Sequence, residues 1–119
     1  MAQIALNKFL TIRHNITTSN VGIYTAPTGV ASIILLAQVS NVGTGTSTQT
    51  VTASHSRSSV DARLVKDTPV PANDSTSLLS GRLILETGDV FKVQGSTNGT
   101  LEIVLSVLES AKPLPANRC

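Results

Sequence analysis

Charge is scarce in this chain: Asp, Glu, Lys and Arg make up 13% of its 119 residues, about half the share of an ordinary soluble domain. The formal net charge is +2, and the nine Lys and Arg are scattered from Lys8 to Arg118. Arg57, Arg63 and Lys66 come nearest to a cluster, but Asp61 and Asp67 interleave them. Phosphate recognition needs cations gathered on one face, so nucleic acid is not an expected partner. Aromatics are 3% and tryptophan is absent, which removes the stacking platforms of sugar and base readers. A single cysteine, Cys119, permits neither an internal disulfide framework nor a multi-cysteine zinc site; it is expected to be a free thiol. The longest uninterrupted apolar run, Ile33 to Ala37, falls far short of the ~18 residues of a membrane helix, so no membrane partner is expected. The first residues, Met1 to Lys8, lack the charged start, apolar centre and small-residue cleavage site of a secretion signal. Synthesis in a cytoplasm is the corresponding expectation.

What the chain has instead is hydroxyl groups, 15 Thr and 14 Ser, beside 40% hydrophobic residues. The apolar residues recur with a period of two. Leu101, Ile103, Leu105 and Val107 share one strand face, while Glu102, Val104, Ser106 and Leu108 share the other. A segment from Val30 to Val42 alternates likewise, with Ala31, Ile33, Leu35, Ala37 and Val39 on one side. Its other side carries Ile34 and Leu36, a pattern expected of a strand in the middle of a sheet. Further strand candidates are Phe9 to Ile16, Val21 to Thr25, Thr48 to His55, Ala62 to Lys66, Arg82 to Glu86 and Val90 to Gln94. Turn chemistry separates them: Ala26-Pro27-Thr28-Gly29, the Gly43 to Ser47 loop, Gly88-Asp89, and Asn98-Gly99, a strong hairpin signal. Pro69 and Pro71 each lack a ladder donor, so that stretch cannot lie in a central strand. About eight short strands without an amphipathic helix predict an all-β, single-domain antiparallel β-sandwich, jelly-roll-like or immunoglobulin-like.

Catalytic templates fail for want of specific parts. His14 and His55 lie on different strand candidates and lack the helical spacing of a metalloprotease pair. The Gly43 to Ser47 stretch has no following Lys or helix to cradle phosphate, and Gly-x-Ser-x-Gly does not occur. Of the paired carboxylates, Glu86 and Asp89 straddle a turn in which Asp caps its own backbone, and Glu102 with Glu109 has little aromatic company to hold a sugar. No calcium-loop run of alternating Asp appears. The expectation is a non-enzyme with no cofactor, no metal and no small-molecule ligand.

The domain is expected over 9–110. An N-terminal arm or edge strand over 1–8 precedes it, and an extended arm over 111–119 follows, in which Lys112-Pro113-Leu114-Pro115 alternates prolines. Leu108, Val104, Ile34 and Leu36 on outer strand faces, with Leu114 on the arm, are the candidate interface residues. Fully burying one such side chain stabilises by about 1.5–3 kcal/mol.

The order Ile23-Tyr24-Thr25-Ala26-Pro27-Thr28-Gly29, then the long strand ending Val39-Ser40-Asn41, then Pro69-Val70-Pro71-Ala72, then Leu83 to Val90, then Leu105 to Glu109 resembles small virion structural proteins of tailed bacteriophages, including cyanophages. The resemblance spans about Val21 to Glu109. It implies a jelly-roll-like sandwich, no catalysis and assembly into a particle, the virion; it assigns no binding residue. The expected partners are major capsid or tail proteins and further copies of the chain in a homo-oligomer. The expected function is capsid decoration or cementing. A tail, neck, baseplate or fibre-associated role and a glycan-binding host-recognition module are the alternatives, the last using loops such as Gly43 to Ser47.

Overall fold

The structure is a computed structural model that describes residues 7–111. Among the described residues nine strands run in chain order: β1 (Asn7–Ile16), β2 (Val21–Thr25), β3 (Val30–Asn41), β4 (Gln49–Arg57), β5 (Val60–Val70), β6 (Ser75–Ser77), β7 (Leu83–Leu85), β8 (Val90–Gly95) and β9 (Leu101–Ala111). One sheet has the order β1-β9-β3-β6, with β7 also on β3; the other has the order β2-β8-β4-β5. We call them sheets A and B. The first strand pairs with the last, the second with the last but one, the third with β6 and β7, and the fourth with the fifth, all antiparallel. That is the pairing of one long hairpin rolled into two layers, a jelly roll. Of the two sandwich types open to the sequence, the strand order selects this one.

Period-two burial locates the core between the sheets. Leu101, Ile103, Leu105 and Val107 of β9 are all buried, as alternation requires, together with Phe91 and Val93 of β8 and Val51 and Ala53 of β4. Pro69 stands in β5, one of the two edge strands of sheet B, where a missing N–H costs no ladder bond. The terminal strands extend beyond the expected domain limits: sheet A takes in Asn7 and Lys8 at one end and Ala111 at the other. Leu114 and the rest of the C-terminal arm lie outside the described residues.

Three expectations need correction. In β3 the alternation does not continue. Ser32 and Ile34 are buried, Leu35 and Leu36 are both exposed, and then Ala37, Val39 and Asn41 are buried. A register shift against β9 between Ile34 and Leu36 marks a bulge, which inserts one residue and exchanges the two faces. Ile34 is therefore a core residue, 0% exposed, and not an outward one. The centre of β3 is accordingly not buried on both faces.

The second correction concerns turns. Asn98-Gly99 joins β8 of sheet B to β9 of sheet A and closes no hairpin. The tight hairpin is β4–β5, closed by Ser58 and Ser59, with φ of 53° and 66°. Two successive positive φ values match the right-handed twist of the flanking strands, but two serines carry no composition signal for it. Thirdly, β6, three residues just after the proline stretch, has no counterpart among the expected strands.

Candidate assembly face

Sheet A turns one side to the core and the other outward. Across its outer side the registers bring four apolar residues into one row: Phe9 opposite Leu108, Leu108 opposite Ile33, and Ile33 opposite Ile84. The row crosses β1, β9, β3 and β7. Its ends are the most open, with Phe9 72% and Ile84 64% exposed, while Leu108 and Ile33 between them are half-buried. Leu35 and Leu36 enlarge it, because the β3 bulge turns both outward. Further along the sheet the face becomes polar: Arg13, Val104 and Gln38 form one row, and Asn15, Glu102 and Ser40 the next.

A matching row on sheet B has a different character: Gly22, Lys92, Ser54 and Arg63 stand opposite one another across its four strands. There Lys92 Nζ lies 3.3 Å from Asp61 Oδ1, and Asn20 Nδ2 donates to Asp61 Oδ2 at 3.0 Å. The Asp61 carboxyl is held below its usual range, first by the Ser56 hydroxyl and then by Lys92 and Asn20, against an opposing contribution from desolvation. The middle of sheet B's outer side thus carries an ion pair where the corresponding part of sheet A carries a row of hydrocarbon. A row of exposed large apolar side chains marks an interaction surface far better than such residues scattered singly.

Of the candidate interface residues, Leu108 lies at the centre of this row and Leu36 beside it. Val104 stands four residues from Leu108 along β9, on the same face and 37% exposed. Ile34 belongs to the core, and Leu114 is outside the described residues. The sequence reading missed Phe9, Ile33 and Ile84. Phe9 had a signal, an aromatic at the start of an edge strand; Ile84 had none, because only the β3–β7 register brings it alongside.

The titratable groups serve the scaffold. Asp89, its side chain 2% exposed, accepts from Arg57 Nε at 2.9 Å, from Arg57 Nη2 at 2.7 Å and from the Glu86 backbone N–H at 2.9 Å, with His55 Nε2 also 2.9 Å away. Its pKa lies far below the usual carboxylate range, chiefly through the Arg57 hydrogen bonds, with the Glu86 N–H and His55 adding and burial opposing. Both oxygens are engaged, Oδ1 by Arg57 Nε and Oδ2 by Arg57 Nη2 and the Glu86 N–H. It locks the β7–β8 turn onto β4. The turn-capping role read from the sequence is present, in the bond from Glu86, whereas the partnership with Arg57 and His55 was not legible. His55 is half-buried against Asp89.

Tyr24 ties the sheets together. Its hydroxyl lies 2.8 Å from Ser32 Oγ and donates to Glu109 Oε2 at 2.5 Å, and burial, then the Glu109 bond, pushes its pKa up to about 12. Buried Asn41 donates to the backbone oxygens of Val70 and Ser47 and accepts from the Gly43 N–H, anchoring the Gly43 to Ser47 loop. Among the described residues no group of three or more His, Cys, Asp or Glu could hold a metal ion, and no helix is long and apolar enough to cross a membrane.

No known protein family matches the sequence, and no curated protein does. Among solved structures, the chain is similar to a subunit of Bacillus endospore appendages, described as a family of disulfide-linked pili. The identity is 14% and the TM-score 0.51, over 94% of this chain and 98% of that one. It is also similar to the Eiger TNF of S. frugiperda, at 10% identity and a TM-score of 0.41, over 93% of this chain and 99% of that one. The first likeness supports the sandwich fold along nearly the whole chain.

Proposed function

We propose that this chain is a non-enzymatic structural subunit of a bacteriophage virion, a capsid decoration or cement protein that partners the major shell protein and further copies of itself. The observation that carries the assembly part of this reading is the apolar row on the outer side of sheet A. A rigid, weakly charged sandwich with one hydrocarbon-bearing face suits attachment by many identical contacts. The endospore subunit that shares the fold is described as building pili, so such a scaffold is compatible with repeated assembly. The phage part rests on the sequence resemblance spanning Val21 to Glu109.

Quantitative mass spectrometry of purified source particles tests the proposal. Decoration predicts a copy number equal to, or a simple fraction of, that of the major shell protein. A few to a few dozen copies would move the chain to the tail or neck. Absence from the particle would overturn the virion reading and return attention to the Gly43 to Ser47 loop as a ligand site.

A further inference from the structure

We infer that the outer side of sheet A is covered by a second copy of this chain, the two sheets packed back to back. The inference rests on the assembly-face reading above and names the occupant of that face.

Size is the first argument. Four strands about 4.8 Å apart, along a β9 of 11 residues rising about 3.4 Å each, span roughly 19 by 37 Å, or about 700 Å² before side-chain relief is counted. Stable interfaces of standard size bury about 600–1,000 Å² per partner, so the face is large enough to hold one.

Symmetry is the second. Place a two-fold axis parallel to the strands, between β9 and β3. Phe9 of one copy then meets Ile84 of the other, and Leu108 meets Ile33. The row is thereby complementary to itself, with the aromatic end of each copy against the aliphatic end of its partner. An isologous interface requires this relation, in which residue i meets j and j meets i.

Charge is the third. The outward positions of β1, β3, β6, β7 and β9 carry two charged side chains, Arg13 and Glu102. Under the same axis Arg13 falls over Ser77 and Glu102 over Ser40 of the other copy, so each charged side chain lies opposite a serine hydroxyl. Sheet B, with Lys92, Arg63 and Asp61 on its outer side, offers no such match. Two stacked sheets about 10 Å apart would repeat the packing already present inside the sandwich.

The experiment is light scattering of the full chain in solution at roughly 100 µM, well above a micromolar Kd, beside Phe9→Asp, Ile84→Asp and their combination. Val60→Asp is the control: Val60 is 70% exposed but lies at the β4–β5 turn, away from sheet A. Circular dichroism confirms that each variant is folded. The expected result is twice the 12.4 kDa chain mass for the wild type and Val60→Asp, and the single-chain mass for the double variant. A monomeric wild type overturns the inference, as does a dimer that survives both substitutions. A trimer or larger ring also overturns it, because an isologous face closes at two copies. None of these outcomes touches the particle copy number, so failure of the pairing and failure of the virion reading are distinguishable.

Discussion

Phe9 stands directly opposite Leu108 across the β1–β9 ladder, on the side of the sheet that faces away from the core. The pair joins β1 to β9, the first and the last strand among the described residues. Closing the roll is what places them together, and Ile33 and Ile84 continue the same line.

Outward Phe9 and buried Phe91 should respond oppositely to truncation. Phe9 is 72% exposed, so Phe9→Ser should shift stability by no more than about 0.5 kcal/mol. Phe91 is 0% exposed, so Phe91→Ala should cost about 3–5 kcal/mol. Urea unfolding of both variants, at a concentration low enough to keep the chain monomeric, measures the contrast.

Asp89 should govern acid stability. The native state holds its carboxyl well below the usual range, so the unfolded chain takes up that proton first. The resulting stability is complete above the unfolded-state pKa of about 4 and is lost as pH falls toward the native value. Asp89→Asn should flatten this acid dependence between about pH 5 and pH 2 and cost about 1.5–3 kcal/mol at neutrality, the range for hydrogen bonds to charged groups. Urea midpoints of both proteins across that range are the measurement.

Tyr24 should govern the alkaline side. Its native pKa is about 12 against about 10 in an unfolded chain. The stability it contributes is complete below pH 10 and disappears as pH rises to 12. Because the chain has one tyrosine and no tryptophan, phenolate absorbance reports this residue alone; the native midpoint should lie about two pH units above that in denaturant. Tyr24→Phe, which strips Glu109 and Ser32 of their partner, should cost about 1–2 kcal/mol.

Gly95 should resist enlargement. A Cβ there would come within 2.8 Å of Ile16 Cγ2 and 3.3 Å of Leu101 Cδ1, both in the core. Gly95→Ala should destabilise by about 1–3 kcal/mol, the range for overpacking. Thermal unfolding would show it as a lowered Tm.

Composition and period two were enough to identify an all-β sandwich and to assign Leu101, Ile103, Leu105 and Val107 to its core, because a strand side chain's face follows from its parity alone. Parity holds only while the ladder is regular, so the bulge that sends Ile34 inward and Leu36 outward could not be read from β3 by itself; it exists only against β9. Asn98-Gly99 shows the same limit from another direction. Its turn chemistry is genuine, but whether a turn closes a hairpin or carries the chain to the other sheet depends on where the next strand finds its partner. The Asp89 knot and the row from Phe9 to Ile84 join residues distant in the chain. Local sequence determined which residues favour strands and which favour turns. Only the rolled topology decided which apolar side chains, having no place in the core, would line up on one outer face, because register between strands far apart in sequence is set by the packing of the whole sandwich.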